Sequence, residues 1–472
     1  MTAAASGFTD SDAASGSTPG VSGPDVPPAR VLAEFAAGLT LADLPEPTRE
    51  RVKDLLLDAL ASALGGVDDD ATAIMLDLAR SIMGTGGVPV IGGPDRLSSA
   101  GAAFVNGHLI SSVSLCDVHY RSWCHLTPGV VPPALAVAAT RGSSGEQLLL
   151  ATAAGCELTA RIGLGLNYPA FHARGWNTSG VAGVFGAAAS AAVMLGLSGV
   201  QMTHALGIAG AQAAGSDAHR GTPTVRFLQP RAALSGLMAA ELAARGVTAM
   251  ADVLTHPAGG VYVMYSDGGT PAAALAGLGQ RWELEDVWLT PWPLALLVRN
   301  IVNTVLDLAE QADARAADVM SARLWISPRA YELYGAMEFD TQSRAKTSPR
   351  YLVSVVLHDR ACLAQQFLPD RLSDPSVRSF AADRVAVMSD PGLAERAVRA
   401  ELTFRDGTSL THFRDVPHGD ASDPLTRAEI TAKFRREAAP VLAEHQIATV
   451  IDLVGHLEEL HSVEPLRAAL SR

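Results

Sequence analysis

The sequence predicts a mainly α fold: a large all-α helical domain interrupted by a smaller α+β lid domain. Three observations carry this expectation. Apolar residues recur at helical spacing from about residue 30 to about 250. After about residue 275 they shorten into strand-length runs and a hairpin. From about residue 422 the helical period returns. The expected division is a disordered tail over 1–28, an all-α domain over 29–272 plus 415–472, and an α+β lid domain over 273–414.

Residues 1–28 are rich in Ser, Gly, Pro and Ala and nearly lack large apolar side chains, the composition of a disordered tail. In "VKDLLLDALASALGG", Val52, Leu55, Leu56, Ala59, Leu60, Ala63 and Leu64 share one helical stripe, and Gly65-Gly66 stops it. "GEQLLLATAAGCELTARIGLGL", "VAGVFGAAASAAVMLGLS" and "RAALSGLMAAELAARGVT" are apolar nearly all round and rich in Ala and Gly. Such helices pack closely inside a large α domain or at a subunit interface. Further on, "SARLWIS" and "DRVAVMSD" read as strands, and "AELTFRDGTSLTHF" as a hairpin turning at Asp406-Gly407. "RYLVSVVLHD" is a helix among them. "DPLTRAEITAKFRREAAPVL" and "IATVIDLVGHLEEL" form the returning helical pair.

A chain of 472 residues, 48% hydrophobic, has material for two or three domains and a large core. Its net charge of -13, without a Lys/Arg block, argues against nucleic acid. An anionic substrate remains compatible, because a few buried arginines govern a pocket while the surface stays acidic. No apolar run free of polar breaks reads as a membrane span, and no basic segment leads into an apolar core as in a signal peptide. The four cysteines show no CxxC spacing and read as reduced thiols of a cytoplasmic protein. Only three lysines occur, Lys53, Lys346 and Lys433.

Gly180, Gly183 and Gly186 do not form GxGxxG, and no strand leads into them. They read as close-packing positions rather than a phosphate cradle. Just ahead, Asn177, Thr178 and Ser179 can cap the helix, and Asn177 can also face a ligand. "CDVHYRSWCHLTPG" gathers Asp117, His119, Arg121 and His125 in one polar loop, a density suited to proton transfer. "SDAHRGTPTVRFLQPR" repeats the idea with Asp217, His219 and Arg226. Arg299 stands in an apolar helix and requires an anionic partner, internal or substrate. Because Arg stays protonated, the base must be Asp or His. The candidate catalytic residues are therefore Asp117, His119, His125 and His219, and the candidate substrate-binding residues Arg121, Asn177, Arg226 and Arg299. The two Asp-x-His pairs suggest a divalent-metal hydrolase only weakly, since that spacing is common by chance. No metal or cofactor is expected.

Taken together the segments resemble the MmgE/PrpD family. "LLLDALASALGG" is similar to its first-helix signature, and "LCDVHYRSWCHLTPGVVPPALAVA" to its Asp-rich loop followed by His-Pro-Gly. "GWNTSGVAGVFGAAASAAVMLGLS", "TVRFLQPRAALSGLMAAELAARGVT", "LTPWPLALLVRNIVNTVLDL" and "PLTRAEITAKFRREAAPVL" resemble later blocks in the right order. The resemblance implies a cofactor-independent homodimer with its site between a helical domain and a lid. It implies dehydratase, decarboxylase or isomerase chemistry on small di- and tricarboxylates, with cations stabilising enolate-like charge. It keeps the family's Asp as Asp117 and an Arg as Arg226, and puts Arg299 near a family His. Elsewhere the chain departs from the pattern. Arg121 replaces a Thr, Thr127 and Leu228 replace His, Asn177 replaces a His, and Val225 and Thr290 replace Lys. These departures imply a divergent lyase or isomerase (dehydration, isomerisation, decarboxylation or cyclisation) acting on a less charged, larger or more apolar small molecule that carries a carboxylate or carbonyl, a tailoring enzyme of secondary metabolism. The alternative is a catalytically silent ligand-binding member.

Overall fold

A computed structural model describes residues 26–219 and 222–471. The expected tail over 1–28 falls mostly outside them. The described chain is mostly α with some sheet, and its apolar side chains gather in two cores. The first runs from Ala29 to Leu289 and resumes at Leu425, while the second runs from Leu294 to Leu402.

In the first core the Gly183–Leu195 helix packs against the helices Gly145–Gly165, Thr127–Arg141 and Leu228–Ala244. Small residues permit this. A Cβ at Gly186 would collide with Thr159 Oγ1 and the Gly155 carbonyl, and one at Gly180 would meet the Ala214 carbonyl at 2.6 Å. Gly183 has only an ordinary 3.6 Å neighbour, so close packing explains two of the three glycines. The Gly145–Gly165 helix and the Thr178–Leu195 stretch are apolar and long enough to cross a membrane, but are 94% and 89% buried in this core.

The second core packs the helices Arg299–Gln311 and Pro349–Asp359 on a four-stranded sheet. The strand order is Val385–Ser389, Val319–Ile326, Val398–Phe404, Ser409–Arg414. The first pair is parallel and the others antiparallel. The hairpin turns at Gly407, whose φ of 86° lies where a Cβ is disfavoured.

The segment from Trp282 to Leu289 packs in the first core, beyond the junction expected near 273. A buried ion pair holds it there. Arg161 Nε lies 2.6 Å from Glu157 Oε1, and Arg161 also donates to the carbonyls of Ala274, Ala276, Gly277 and Arg281. Glu157 accepts the backbone N–H groups of Glu283 and Leu284, both at 3.1 Å. Val287–Trp288 then pairs with Val118–His119, carrying this segment to the polar loop.

Arginines of the sheet unit join the two parts. The Arg396 guanidinium lies 4.7 Å from the Tyr120 ring and 4.7 Å from the Trp288 ring, which stack on each other. Arg329 lies 4.6 Å over Trp123, and Glu395 binds both Arg329 and the Tyr120 hydroxyl.

Candidate active site

The polar loop between the helices Ser99–Ser112 and Thr127–Arg141 sends its residues to different places. Asp117 is fully buried. One carboxylate oxygen accepts the Leu126 N–H at 2.8 Å, and the other accepts the Thr127 N–H at 3.1 Å and the Thr127 hydroxyl. It thus satisfies buried donors at the start of the 127–141 helix that would otherwise lack partners. His125 Nδ1 is 2.5 Å from the Asp117 carbonyl oxygen and 3.5 Å from Cys116 Sγ. Burial lowers the His125 pKa, with Asp117 opposing. Burial pushes the Cys116 thiol up to about 12, which removes it as a nucleophile near neutral pH.

His119 turns the other way. Its Nδ1 meets Ser122 Oγ at 2.8 Å, and its Nε2 lies 3.3 Å from Glu283 Oε2. Arg121, nearly half exposed, places Nη1 2.7 Å from that same Glu283 oxygen. Burial raises the Glu283 pKa, but the His119 hydrogen bond and the Arg121 and Arg281 charges outweigh it and hold the carboxyl at about 2. Glu283 has no sequence signal of its own; the Glu157 anchor delivers it.

His119, Glu283 and Asp286 could reach one metal ion geometrically. Arg121 and Arg281 already contact both carboxylates. This trio fits an ion-pair network better than a metal centre. Of the four residues in the two Asp-x-His pairs, it contains only His119.

Behind Asp117 lies a buried charge layer. Lys433 Nζ donates to Asp58 Oδ1 at 2.6 Å and to the Leu115 carbonyl at 2.7 Å. Burial raises Asp58 to about 6 against the pull of Lys433. Arg299 donates through Nε to the Leu294 carbonyl at 3.2 Å, while its buried Nη1 has no hydrogen-bond partner among the described residues. Burial lowers its pKa to about 10, with Cys116, Asp58 and Asp117 opposing, so it stays cationic near neutral pH.

A small, open polar cleft of about 40 Å³ is lined by Trp123, Tyr168, His172, Trp176, Asn177, Thr178 and Asp217. Asn177 alone among the sequence-derived candidates lines it. Its Oδ1 caps the short following helix by accepting the Gly180 N–H at 3.1 Å, and its Nδ2 donates to Asp217 Oδ1 at 3.2 Å. The other Asp217 oxygen is 3.7 Å from His172 Nδ1. Tyr168 stacks between His172 and Trp123, at 5.2 and 5.1 Å. The polar loop contributes Trp123 to the cleft wall, and the His125 N–H donates to Ser179 Oγ at 2.9 Å, two residues beyond Asn177.

His219 is exposed, with its carbonyl accepting from Thr222. Arg226 donates to Ser114 Oγ at 3.1 Å. The structure thus brings Asp117, His125 and Arg299 into one layer and sets Asn177 in the cleft. It leaves His119 and Arg121 in the Glu283 network and His219 at the surface. His172 carries no signal of its own in the sequence and gains a partner only when folding sets Asp217 beside it.

Comparison with known proteins gives the same frame along the chain. The MmgE/PrpD N-terminal domain model matches residues 30–274, and the C-terminal domain model matches residues 292–459. A cis-aconitate decarboxylase of Aspergillus terreus is 28% identical over 466 residues, covering 93% of this chain and 95% of that protein. A cis-aconitate decarboxylase-like protein, oryM, of Aspergillus oryzae is 26% identical and covers 93% and 96%. A cis-aconitate decarboxylase of Homo sapiens is 26% identical over 447 residues, covering 92% of each chain.

Proposed function

Because the chain belongs to the MmgE/PrpD family, we propose that it is a lyase or isomerase of small carboxylic acids, working in the cleft beside Asn177. The observation that carries this reading is the likeness to cis-aconitate decarboxylases over nearly the whole of both chains. The polar cleft with its His172–Asp217 pair supplies the chemistry. At positions 127, 177, 225, 228 and 290 the chain departs from the family pattern, which supports a substrate of its own in a tailoring step.

In this reading His172 moves the proton and Asp217, 3.7 Å from its Nδ1, orients its ring. In a decarboxylation the bond to the departing carboxyl carbon breaks and CO2 leaves. The electron pair passes into the neighbouring unsaturation, and His172 protonates the carbon that receives it. In an isomerisation the same imidazole takes a proton from a carbon next to a carboxylate and returns it elsewhere. Neither step consumes an oxidant or reductant. Asn177 aligns the substrate through its remaining amide N–H, while Trp123, Tyr168 and Trp176 wall off water. Arg299, buried with an Nη1 that has no hydrogen-bond partner among the described residues, supplies a fixed positive charge behind the polar loop, felt by Asp117 and Asp58. Asp117 acts through the helix it anchors, and His125 through the Asp117 carbonyl.

The sheet unit serves as the lid, with Arg329 and Arg396 as its contacts on the aromatic rim. A homodimer is part of the proposal. Ile74, Leu78 and Ile82 form an exposed apolar stripe on the Thr72–Ile82 helix that a second copy would cover.

The test is turnover of a carboxylate series that includes cis-aconitate, followed by proton NMR and CO2 release. The expected result is conversion of at least one acid, reduced about 10²–10⁴-fold in His172→Gln. Absence of conversion across the series, or an unimpaired His172→Gln variant, overturns the proposal.

A further inference from the structure

One wall of the cleft is a column of flat rings. His172 stacks on Tyr168 with centroids 5.2 Å apart and planes 9° apart, and Tyr168 stacks on Trp123 at 5.1 Å and 10°. The Arg329 guanidinium lies 4.6 Å from the Trp123 ring and 5.9 Å from the Tyr168 ring, and its Nη2 is 3.4 Å from the Tyr168 hydroxyl. These distances close a triangle with the 5.1 Å stack, so the cation sits where the two rings meet rather than on the outer face of the column. One side chain of the sheet unit therefore clamps two rings from separate segments of the helical part.

The clamp is itself held. Arg329 Nη1 is 2.9 Å from Glu395 Oε1, and the Glu395 carboxylate also accepts the Tyr120 hydroxyl. The Ser327 hydroxyl donates to the Glu395 carbonyl at 2.9 Å and accepts the Ala330 N–H at 3.3 Å, which ties Glu395 to the start of the Pro328–Tyr334 helix that carries Arg329.

The rings it grips are not set by their own backbone. Trp123 has φ of 51°, a left-handed conformation unusual for a bulky side chain, and Asn167, at φ 52°, leads into the six-residue Tyr168–Ala173 helix. A helix of under two turns has few bonds of its own, so outside contacts decide how its side chains stand. Asp217, 3.7 Å from His172 Nδ1, lies beyond direct hydrogen-bond length and directs that edge of the ring only loosely. The stack on Tyr168 fixes the ring plane.

We propose that Arg329 is a positioning residue for His172: by clamping Trp123 and Tyr168 it holds the imidazole plane, so proton transfer in the cleft depends on a side chain of the sheet unit. This rests on the reading above, in which His172 moves the proton, and deepens it. Arg329 acts through Tyr168 and does not touch the reacting atoms.

The test compares the full chain with Arg329→Met, Arg329→Gln, Arg329→Lys, Tyr168→Leu and the Arg329→Met/Tyr168→Leu double variant. Two readouts are used beside unfolding temperature. The first is the Hε1 signal of His172 in protein labelled with 13C-histidine, assigned through His172→Gln. The second is kcat and KM for the acid turned over. The Tyr168 ring current shifts the His172 signal in the wild type. Both neutral Arg329 variants are expected to move that signal in the direction Tyr168→Leu moves it, with Arg329→Lys between them and wild type, because an ammonium keeps the charge but not the planar fork. The neutral variants should lower kcat about 10–10²-fold with KM within about 3-fold, as misplacement of a catalytic group does. The double variant should fall no more than about 2-fold below Tyr168→Leu alone, since both residues act as one unit. An unmoved His172 signal in the folded neutral variants overturns the clamp, whatever turnover does. So does a moved signal with kcat within about 2-fold of wild type, or a double variant whose losses multiply. If no acid is turned over, the lyase reading fails, while the His172 signal still decides whether Arg329 holds the ring.

Discussion

Asp117→Asn separates anchoring from chemistry. The carboxylate accepts three donors at the start of the Thr127–Arg141 helix and is wholly buried. An amide of the same shape keeps one acceptor oxygen and turns its NH2 toward the other donors. At least one charge-assisted bond, worth about 1.5–3 kcal/mol, is lost. The negative charge opposite the helix N-terminus adds about 0.3–2 kcal/mol. The expected destabilisation is about 3 kcal/mol, read as a lower urea midpoint with an unchanged slope. Turnover is expected to fall only as far as the Thr127 segment shifts beside the cleft. A midpoint within about 0.5 kcal/mol of wild type, together with abolished turnover, would refute the anchoring argument and place Asp117 on the substrate.

Further outcomes follow from the same geometry. Glu283→Gln is expected to cost about 1–3 kcal/mol near neutral pH. Because the folded-state pKa is lowered to about 2, that stabilisation is full above the ordinary Glu pKa and disappears as pH falls toward 2; a pH series of urea midpoints checks this. Gly186→Ala should lose about 1–3 kcal/mol through collision with Thr159 and Gly155, whereas Gly183→Ala, facing an ordinary contact, should lose under about 1 kcal/mol. Paired thermal scans compare them. Lys433→Met leaves Asp58 buried without its cation and is expected to cost about 3–5 kcal/mol, measured by chemical unfolding.

The helices were legible because their stripes are local and long. Leu55, Leu56, Ala59 and Leu60 are buried as the stripe requires, and the Asp406-Gly407 turn closes the hairpin it announces. The alanine- and glycine-rich segments did pack helix on helix, as Gly186 against the Gly145–Gly165 helix shows. The site was legible only in part, because its pairs are made by folding rather than by spacing. Nothing near Glu283 announces that Glu157 will hold its backbone against His119. His172 sits in the short Tyr168–Ala173 helix and meets Asp217 only through the turn that brings Asp217 beside Asn177. Conversely, the dense "CDVHYRSWCHLTPG" loop looked like one reactive cluster, but its side chains alternate between the Asp117 anchor and the Glu283 network.

The central claim is that His172 moves a proton at a carbon beside a substrate carboxylate. Turnover of the active acid in D2O, followed by NMR, tests it most directly. Deuterium is expected at that carbon in the wild type, and both its incorporation and turnover are expected to be lost in His172→Gln. Deuterium incorporation at an undiminished rate in His172→Gln would contradict it.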